Sequence, residues 1–230
     1  MFRAIVFDLD HTLFDRYATL RKTLHVFYNH YKDRISKDLS CEEFIEKLIE
    51  IEKEYIYFDW VNVFKECARR NLITLNDQEA IEAVRVIVDK CWPVAAVEFP
   101  FTKPTLQKLR QMGYKLGLVT NGRHNPQTLK LKMLGLDNTF DQVVISGDVG
   151  VGKPDPKPFE VMAEKIGIKP QEMMYVGDHP LNDVEGSRRV GYTPVWVKTT
   201  GTWPFHDIEK SPYEVDTVEE LPELLKRIDK

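Results

Sequence analysis

The sequence predicts an α/β protein in which a doubly wound parallel sheet carries an inserted all-helical domain. Short apolar runs, rich in β-branched residues, alternate along the chain with stretches long enough to form helices. The runs have no polar face, which is typical of strands covered by helices on both sides. About 100 residues separate the first run from the second, far more than a crossover connection requires, so the extra domain is expected there.

The first strand is predicted at Arg3 to Phe7, a run that stops at two carboxylates. Four later strands are predicted from similar apolar runs: Leu116 to Val119, Val143 to Ile145, Met174 to Val176 and Val195 to Val197. Helices are expected between these strands, around Pro126 to Leu134, Pro158 to Ile166 and Leu181 to Val190. Near the C-terminus, Thr217 and Glu220 fit a capping box, which predicts a last helix.

The inserted helical domain is predicted to cover residues 15–94, and the core domain residues 1–14 and 95–230. The insert is charged and amphipathic, and it contains no glycine and no proline before Pro93. Apolar residues recur at helical spacing in two sets, Phe44, Leu48 and Ile51, and Ile81, Val84 and Val88. We expect these sets to form the buried faces of helices.

The composition excludes several classes of protein. The formal net charge is −4 and the sequence has no long basic run, so nucleic acid is not an expected partner. The N-terminal apolar run is interrupted by Asp8 and Asp10 too early for a signal peptide or a membrane span. The 3 cysteines are widely separated and form no C-x-x-C motif, which favours a reduced, cytoplasmic protein.

Carboxylates follow two of the predicted strands. Asp8 and Asp10 come directly after the first strand, and Asp178 and Asp183 follow the run Met174 to Val176. Because parallel strands place their carboxyl ends along one edge of a sheet, these four side chains are expected to converge. Adjacent acids repel one another unless a cation or a shared proton relieves them, and clusters of oxygen ligands suit Mg²⁺. The alternative is a solvated pair of acids in a turn.

Two further groups are expected at the same edge. The triplet Thr120-Asn121-Gly122 offers a hydroxyl, an amide and backbone N–H groups that can face an anion, although such a triplet is also a good turn. Lys153 adds a cation after the third strand, although a single lysine is more often a solvated surface group. The glycines before Lys153 also match the start of a Walker A loop, but Pro154 stands where that motif needs Ser or Thr.

In their order and chemistry these groups resemble the motifs of the haloacid dehalogenase superfamily, specifically its phosphatase-type members with a helical cap. The first motif, D-x-D-x-T, is the segment Asp8-Leu9-Asp10-His11-Thr12. The remaining three motifs correspond to Thr120, to Lys153, and to Gly177-Asp178 with Asp183. The resemblance covers essentially the whole chain and implies a Rossmann-like core with the insert as a cap. His11 departs from the pattern, since the family often has Gly or Asp there.

The resemblance implies a role for each acid of the first motif. Asp8 would be the nucleophile that attacks phosphorus and forms an aspartyl-phosphate. Asp10 would protonate the leaving oxygen and then activate water, which is a general acid–base role. The absence of an acid at this position is typical of the metal-independent dehalogenases, so the presence of Asp10 disfavours dehalogenation.

The resemblance also implies how metal and phosphate are held. Mg²⁺ would be bound by Asp8, the backbone carbonyl of Asp10 and Asp178, with Asp183 supporting that shell. The phosphate oxygens would be held by Thr120, by the backbone N–H of Asn121 and by Lys153, which offsets the negative charge. The predicted function is therefore that of a Mg²⁺-dependent phosphatase acting on a small phosphorylated metabolite.

Several alternatives remain open from the sequence. A sugar-phosphate mutase uses the same motifs, and a non-catalytic phosphate-binding module would share the fold. A phosphonate hydrolase would need a cap lysine as Schiff base, for which Lys22, Lys47, Lys53 and Lys65 are equal candidates. The aromatic stretch Tyr55 to Trp60 is expected to belong to the helical core or to cover an apolar part of the substrate. The sequence does not identify the substrate or the oligomeric state.

Overall fold

The computed structural model describes residues 1–55, 60–199, 203 and 205–229 of the chain. The chain divides into two compact units, which we call the core unit (Met1–Asp15 with Glu98–Lys230) and the helical unit (Arg16–Val97). Most of the aromatic stretch predicted at Tyr55 to Trp60 lies outside the described residues, because these omit 56–59. None of the helices in the described part has the length and apolar character needed to cross a bilayer.

The α-helices in the described part of the helical unit are α1 (Arg16–Tyr31), α2 (Cys41–Glu54), α3 (Trp60–Arg69), α4 (Asp77–Arg85) and α5 (Trp92–Ala95). Capping boxes start two of them, since Ser40 and Glu43 bond reciprocally before α2, and Asn76 and Glu79 do so before α4. The rings of Phe27 and Phe64 pack with centroids 5.2 Å apart in the interior of this unit. Burying side chains of this size stabilises the unit by roughly 1.5–3 kcal/mol each.

One of the two predicted helical faces is confirmed and the other is wrong. Phe44, Leu48 and Ile51 are almost completely buried, as expected. Ile81 and Val88, in contrast, are 36% and 38% exposed. The buried positions here are instead Ala80, Ala83 and Ile87. These buried positions also follow the i, i+3, i+7 pattern, so the buried face is offset by one residue from the predicted one and includes small alanines in place of the larger apolar side chains.

The core unit contains one sheet of six parallel strands, as predicted for the fold class. The strands are β1 (Ala4–Phe7), β2 (Lys115–Thr120), β3 (Gln142–Ile145), β4 (Met173–Gly177), β5 (Thr193–Val197) and β6 (Tyr213–Val215). Their order across the sheet is β3-β2-β1-β4-β5-β6. Strand β6 is not predicted from the sequence, because it is three residues long and has only one buried side chain. The central strand β1 is completely buried, which explains its unbroken apolar sequence.

The flanking helices of the core unit are α6 (Thr102–Gln111), α7 (His124–Met133), α8 (Ser146–Val149), α9 (Pro156–Ile166), α10 (Gly186–Val190) and α11 (Leu221–Ile228). The predicted capping box at Thr217 and Glu220 is present and starts a short 3₁₀ turn that leads into α11. The helix predicted over Leu181 to Val190 is divided, because a π-helix at Pro180–Glu185 precedes α10. Such wide turns are frequent at functional sites.

Candidate active site

The predicted site residues follow the carboxyl ends of four neighbouring strands. Asp8 comes directly after β1, Thr120 ends β2, Lys153 follows β3, and Asp178 comes directly after β4. In β1, Phe7 is in register with Leu118 of β2 and with Val176 of β4, so the three strands end within two residues of one another. This register brings residues far apart in sequence to the same edge of the sheet.

A buried lysine lies at the centre of this edge. The Lys153 Nζ atom is 2.5 Å from Asp8 Oδ1 and 2.7 Å from Asp183 Oδ1. It also donates a hydrogen bond of 2.9 Å to the Tyr175 hydroxyl, which in turn donates to the Val119 carbonyl at 2.9 Å. The Lys153 side chain is 2% exposed, so it is not the solvated surface lysine that its sequence context also permits.

The shared burial changes the pKa values of these groups. Burial raises the pKa of Asp8 to about 7; the Lys153 ammonium opposes this shift, and the carboxylates of Asp183 and Asp10 add to it. Burial by itself acts to lower the pKa of Lys153, but the carboxylates of Asp183 and Asp8 hold that pKa well above its usual range. Lys153 is therefore a permanent cation that offsets only part of the negative charge at this edge.

Three of the carboxylates form a group that fits a metal ion. Asp8, Asp178 and Asp183 are all buried, and one oxygen of each lies within 4.8 Å of the others. When ionised, they place three negative charges beside the Lys153 ammonium, and oxygen-only ligands of this kind suit a hard divalent cation such as Mg²⁺. The Asp10 carboxylate does not belong to this group, so the predicted contribution of the Asp10 backbone carbonyl stays a prediction.

A close approach explains the glycine before Asp178. A Cβ atom on Gly177 would lie 2.5 Å from the Asp183 carboxylate carbon, so only glycine leaves room for this side chain. The other Asp183 oxygen, Oδ2, accepts a hydrogen bond of 2.9 Å from the backbone N–H of His179. The turn therefore fixes Asp183 against the end of β4 and beside Lys153.

The predicted phosphate-binding residues lie in two loops that are bonded together. The Asn121 amide group accepts from the Lys153 backbone N–H at 2.8 Å and donates to the Lys153 carbonyl at 2.9 Å. In the same loops, the Gly122 N–H donates to the Ser146 hydroxyl at 2.9 Å. The Asn121 side chain thus fixes the backbone of Lys153, a role that was not predicted from the sequence. Gly152 permits this, since a Cβ there would lie 2.9 Å from Asn121 Oδ1.

Asp10 is held by two residues of α7 that the sequence analysis missed. The Lys130 Nζ atom lies 2.6 and 2.8 Å from the two Asp10 carboxylate oxygens. The Gln127 Nε2 atom donates to Asp10 Oδ2 at 3.1 Å and also to the Thr120 hydroxyl. A signal for both was available, since Gln127, Lys130, Leu131 and Leu134 follow the i, i+3, i+4, i+7 pattern of a buried helix face.

His11 occupies a backbone position that explains its departure from the family pattern. Its φ angle is 67°, in the left-handed region that favours glycine. The residue is buried, and its carbonyl accepts a hydrogen bond of 2.8 Å from the Thr199 hydroxyl. The backbone at this position therefore requires a positive φ angle. Histidine adopts that angle here while its carbonyl is held by the hydrogen bond from Thr199.

Comparisons with known proteins agree with this geometry. Residues 5–197 match the family described as haloacid dehalogenase-like hydrolases. The chain is similar to the glyceraldehyde 3-phosphate phosphatase of Methanopyrus kandleri, with 33% identity over 100% of both chains. Among solved structures it is similar to a HAD phosphatase from Thermococcus onnurineus, with a TM-score of 0.64, 34% identity and 97% of each chain covered. It also shares its fold with YfnB from Bacillus subtilis, at a TM-score of 0.76, 19% identity, and coverage of 97% of this chain and 98% of that one.

Proposed function

This chain belongs to the haloacid dehalogenase-like hydrolase family, and from that premise we propose that it is a Mg²⁺-dependent phosphatase that hydrolyses small phosphomonoesters through an aspartyl-phosphate. The observation that carries the proposal is the buried contact of Lys153 with Asp8 and Asp183 at the carboxyl edge of the sheet. A carboxylate beside a fixed cation can approach a phosphate dianion, which an isolated carboxylate would repel. All the residues that the reaction needs lie in the core unit.

In the first step, an oxygen of Asp8 attacks the phosphorus atom in line with the leaving oxygen. The Asp8–phosphorus bond forms while the bond from phosphorus to the leaving oxygen breaks, and the Asp10 carboxyl gives its proton to that oxygen. Thr120 and the backbone N–H of Asn121 would hold the non-bridging oxygens. Lys153 offsets the charge on both reacting anions.

In the second step, water hydrolyses the acyl phosphate on Asp8. The Asp10 carboxylate takes a proton from the water molecule as its oxygen attacks phosphorus. The bond between phosphorus and Asp8 then breaks, which releases inorganic phosphate and restores both carboxyl groups to their initial state. Asp10 thus serves as acid in one step and as base in the next.

Asp8, Asp178 and Asp183 would hold the Mg²⁺ ion, together with the backbone carbonyl of Asp10. When bound, the ion supplies positive charge that neutralises the phosphoryl oxygens and the carboxylates around them. The fit rests on the donor set, because three buried carboxylates with oxygens within 4.8 Å of one another repel unless a cation or a proton relieves them. Asp183 bonds Lys153 as well, so we assign it the supporting position among these ligands.

The substrate class follows from the relatives. A relative that matches the full length of the chain is named for glyceraldehyde 3-phosphate, so we place short sugar phosphates first among the candidate substrates. Other phosphomonoesters, including phosphoglycolate and nucleoside monophosphates, belong in the same test. We propose that the helical unit acts as a cap that selects among them.

The test is phosphate release from a panel of phosphomonoesters in Mg²⁺ or in EDTA. We expect turnover that requires Mg²⁺ in the wild type and in the control Asp137→Asn, which changes an exposed aspartate away from the site. Asp8→Asn should abolish turnover, and rapid quenching of the wild type should show a phosphoryl group on the peptide that contains Asp8. A folded wild type with no turnover on any ester would refute the proposal and favour the mutase or phosphonate alternatives.

A further inference from the structure

The helix α7 carries a buried cation that no motif of the family accounts for. The Lys130 side chain is 5% exposed, and its Nζ atom lies 5.3 Å from the centre of the Phe14 ring. Its ammonium contacts both carboxylate oxygens of Asp10. Gln127, one helical turn earlier, is also buried although it is polar.

Stability alone is a poor reason for this arrangement. A buried ion pair costs several kcal/mol of desolvation, and replacing one with well-packed apolar residues is often neutral or stabilising. Positions 127 and 130 share a face with Leu131 and Leu134, where apolar side chains would pack at no such cost. The polar residues at these positions therefore indicate a role that depends on the geometry of the groups they contact.

We propose that Lys130 and Gln127 are positioning residues that hold the Asp10 carboxyl group in place for proton transfer to the leaving oxygen. Gln127 links Asp10 to the loop after β2, since its Nε2 atom donates to Asp10, to the Thr120 hydroxyl and to the Asn121 carbonyl oxygen. The same helix face thus connects the proton donor with the residues expected to hold the phosphate. This inference rests on the proposed phosphatase function and deepens it.

The role has a chemical signature that a purely structural contact lacks. When the phosphorus–oxygen bond breaks, an aliphatic alkoxide needs the proton from Asp10, because it is a strongly basic leaving group. p-Nitrophenolate is a far weaker base and leaves with little help. Misplacing Asp10 should therefore slow the first step, transfer of the phosphoryl group to Asp8, much more for alkyl phosphates than for p-nitrophenyl phosphate.

The experiment compares kcat/KM on these two classes of ester in three variants of α7, because kcat/KM reports the step in which the leaving oxygen departs. Lys130→Met removes the ammonium, and Asp10, whose side chain is 29% exposed, can then be solvated, so the variant is expected to fold. Its kcat/KM should fall about 100-fold on an alkyl phosphate and little on p-nitrophenyl phosphate. Lys130→Arg should recover part of the loss, because the cation is kept. Lys132→Met, an exposed position on the same helix, should match the wild type.

Each outcome separates this inference from the function on which it rests. A wild type without phosphatase activity would refute the proposed function, and the positioning role would fail with it. If the wild type is active, the positioning role alone is refuted when Lys130→Met loses kcat/KM equally on both esters, or loses none. Thermal unfolding shows whether each variant is folded. If Lys130→Met is not folded, the comparison of the two esters is made with Lys130→Arg.

Discussion

Asp8→Asn should stabilise the metal-free protein, and the gain should increase as the pH rises from about 4 to about 7. Burial raises the pKa of the Asp8 carboxyl from 3.8 to about 7 in the folded protein. Between these values the unfolded chain loses its proton while the folded protein keeps it. The folded state therefore binds more protons, so the contribution of Asp8 to stability is present below pH 3.8 and is lost as the pH rises through about 7. Asparagine at this position has no proton to lose.

The size of the effect follows from the difference between the two pKa values. They differ by about three, and each pKa unit corresponds to about 1.4 kcal/mol, so the largest difference expected is about 4 kcal/mol. Lys153 stays charged throughout this range because its own pKa is held well above the usual value. The attraction of Lys153 to the ionised Asp8 is already contained in the Asp8 pKa of about 7, so the lost ion pair needs no separate correction.

The assay is urea unfolding in EDTA, followed by tryptophan fluorescence at several pH values between 4 and 8. The free energy of unfolding of Asp8→Asn minus that of the wild type should rise by roughly 2–4 kcal/mol across this range. The control Asp137→Asn should show a flat difference. A flat or falling difference for Asp8→Asn would refute the electrostatic reasoning. Added Mg²⁺ should stabilise the wild type more than the variant, because the ion binds the folded state through this carboxylate.

Three other perturbations test individual contacts at the site. Tyr175→Phe removes the hydroxyl that accepts a hydrogen bond from Lys153, so inorganic phosphate should inhibit this variant less strongly than the wild type. The control Tyr192→Phe, in the same aromatic cluster, should leave the inhibition constant for phosphate unchanged. Equal inhibition constants would contradict the first expectation. Gly177→Ala places a methyl group against Asp183, so it should lower kcat at least 10-fold and reduce the free energy of unfolding by about 1–3 kcal/mol. Steady-state kinetics and urea unfolding measure the two effects. Normal activity would show that the close approach is not required. EDTA dialysis should abolish turnover and Mg²⁺ should restore it, and activity that survives dialysis would refute the metal requirement.

The sequence by itself determined the parallel sheet and the set of residues at its edge. Unbroken apolar runs form strands where helices cover both faces of the sheet. The apolar sequences at Ala4–Phe7 and Met173–Gly177 therefore predicted that these strands are buried. Parallel strands end along one edge, and this general property was enough to predict that Asp8, Lys153 and Asp183 converge. The short strand Tyr213–Val215 was not predicted, because its three residues include too few buried positions to form an apolar run.

Only the tertiary structure decided which side chains contact each other at that edge. Asp10 and Lys130 are 120 positions apart, and nothing local to either residue marks the pair. Lys153 contacts Asp183 rather than solvent because the π-helical turn after β4 and the missing side chain of Gly177 leave space for that carboxylate. Local sequence encodes burial and periodicity, whereas the partner of a buried charge depends on the relative placement of elements that folding alone brings together.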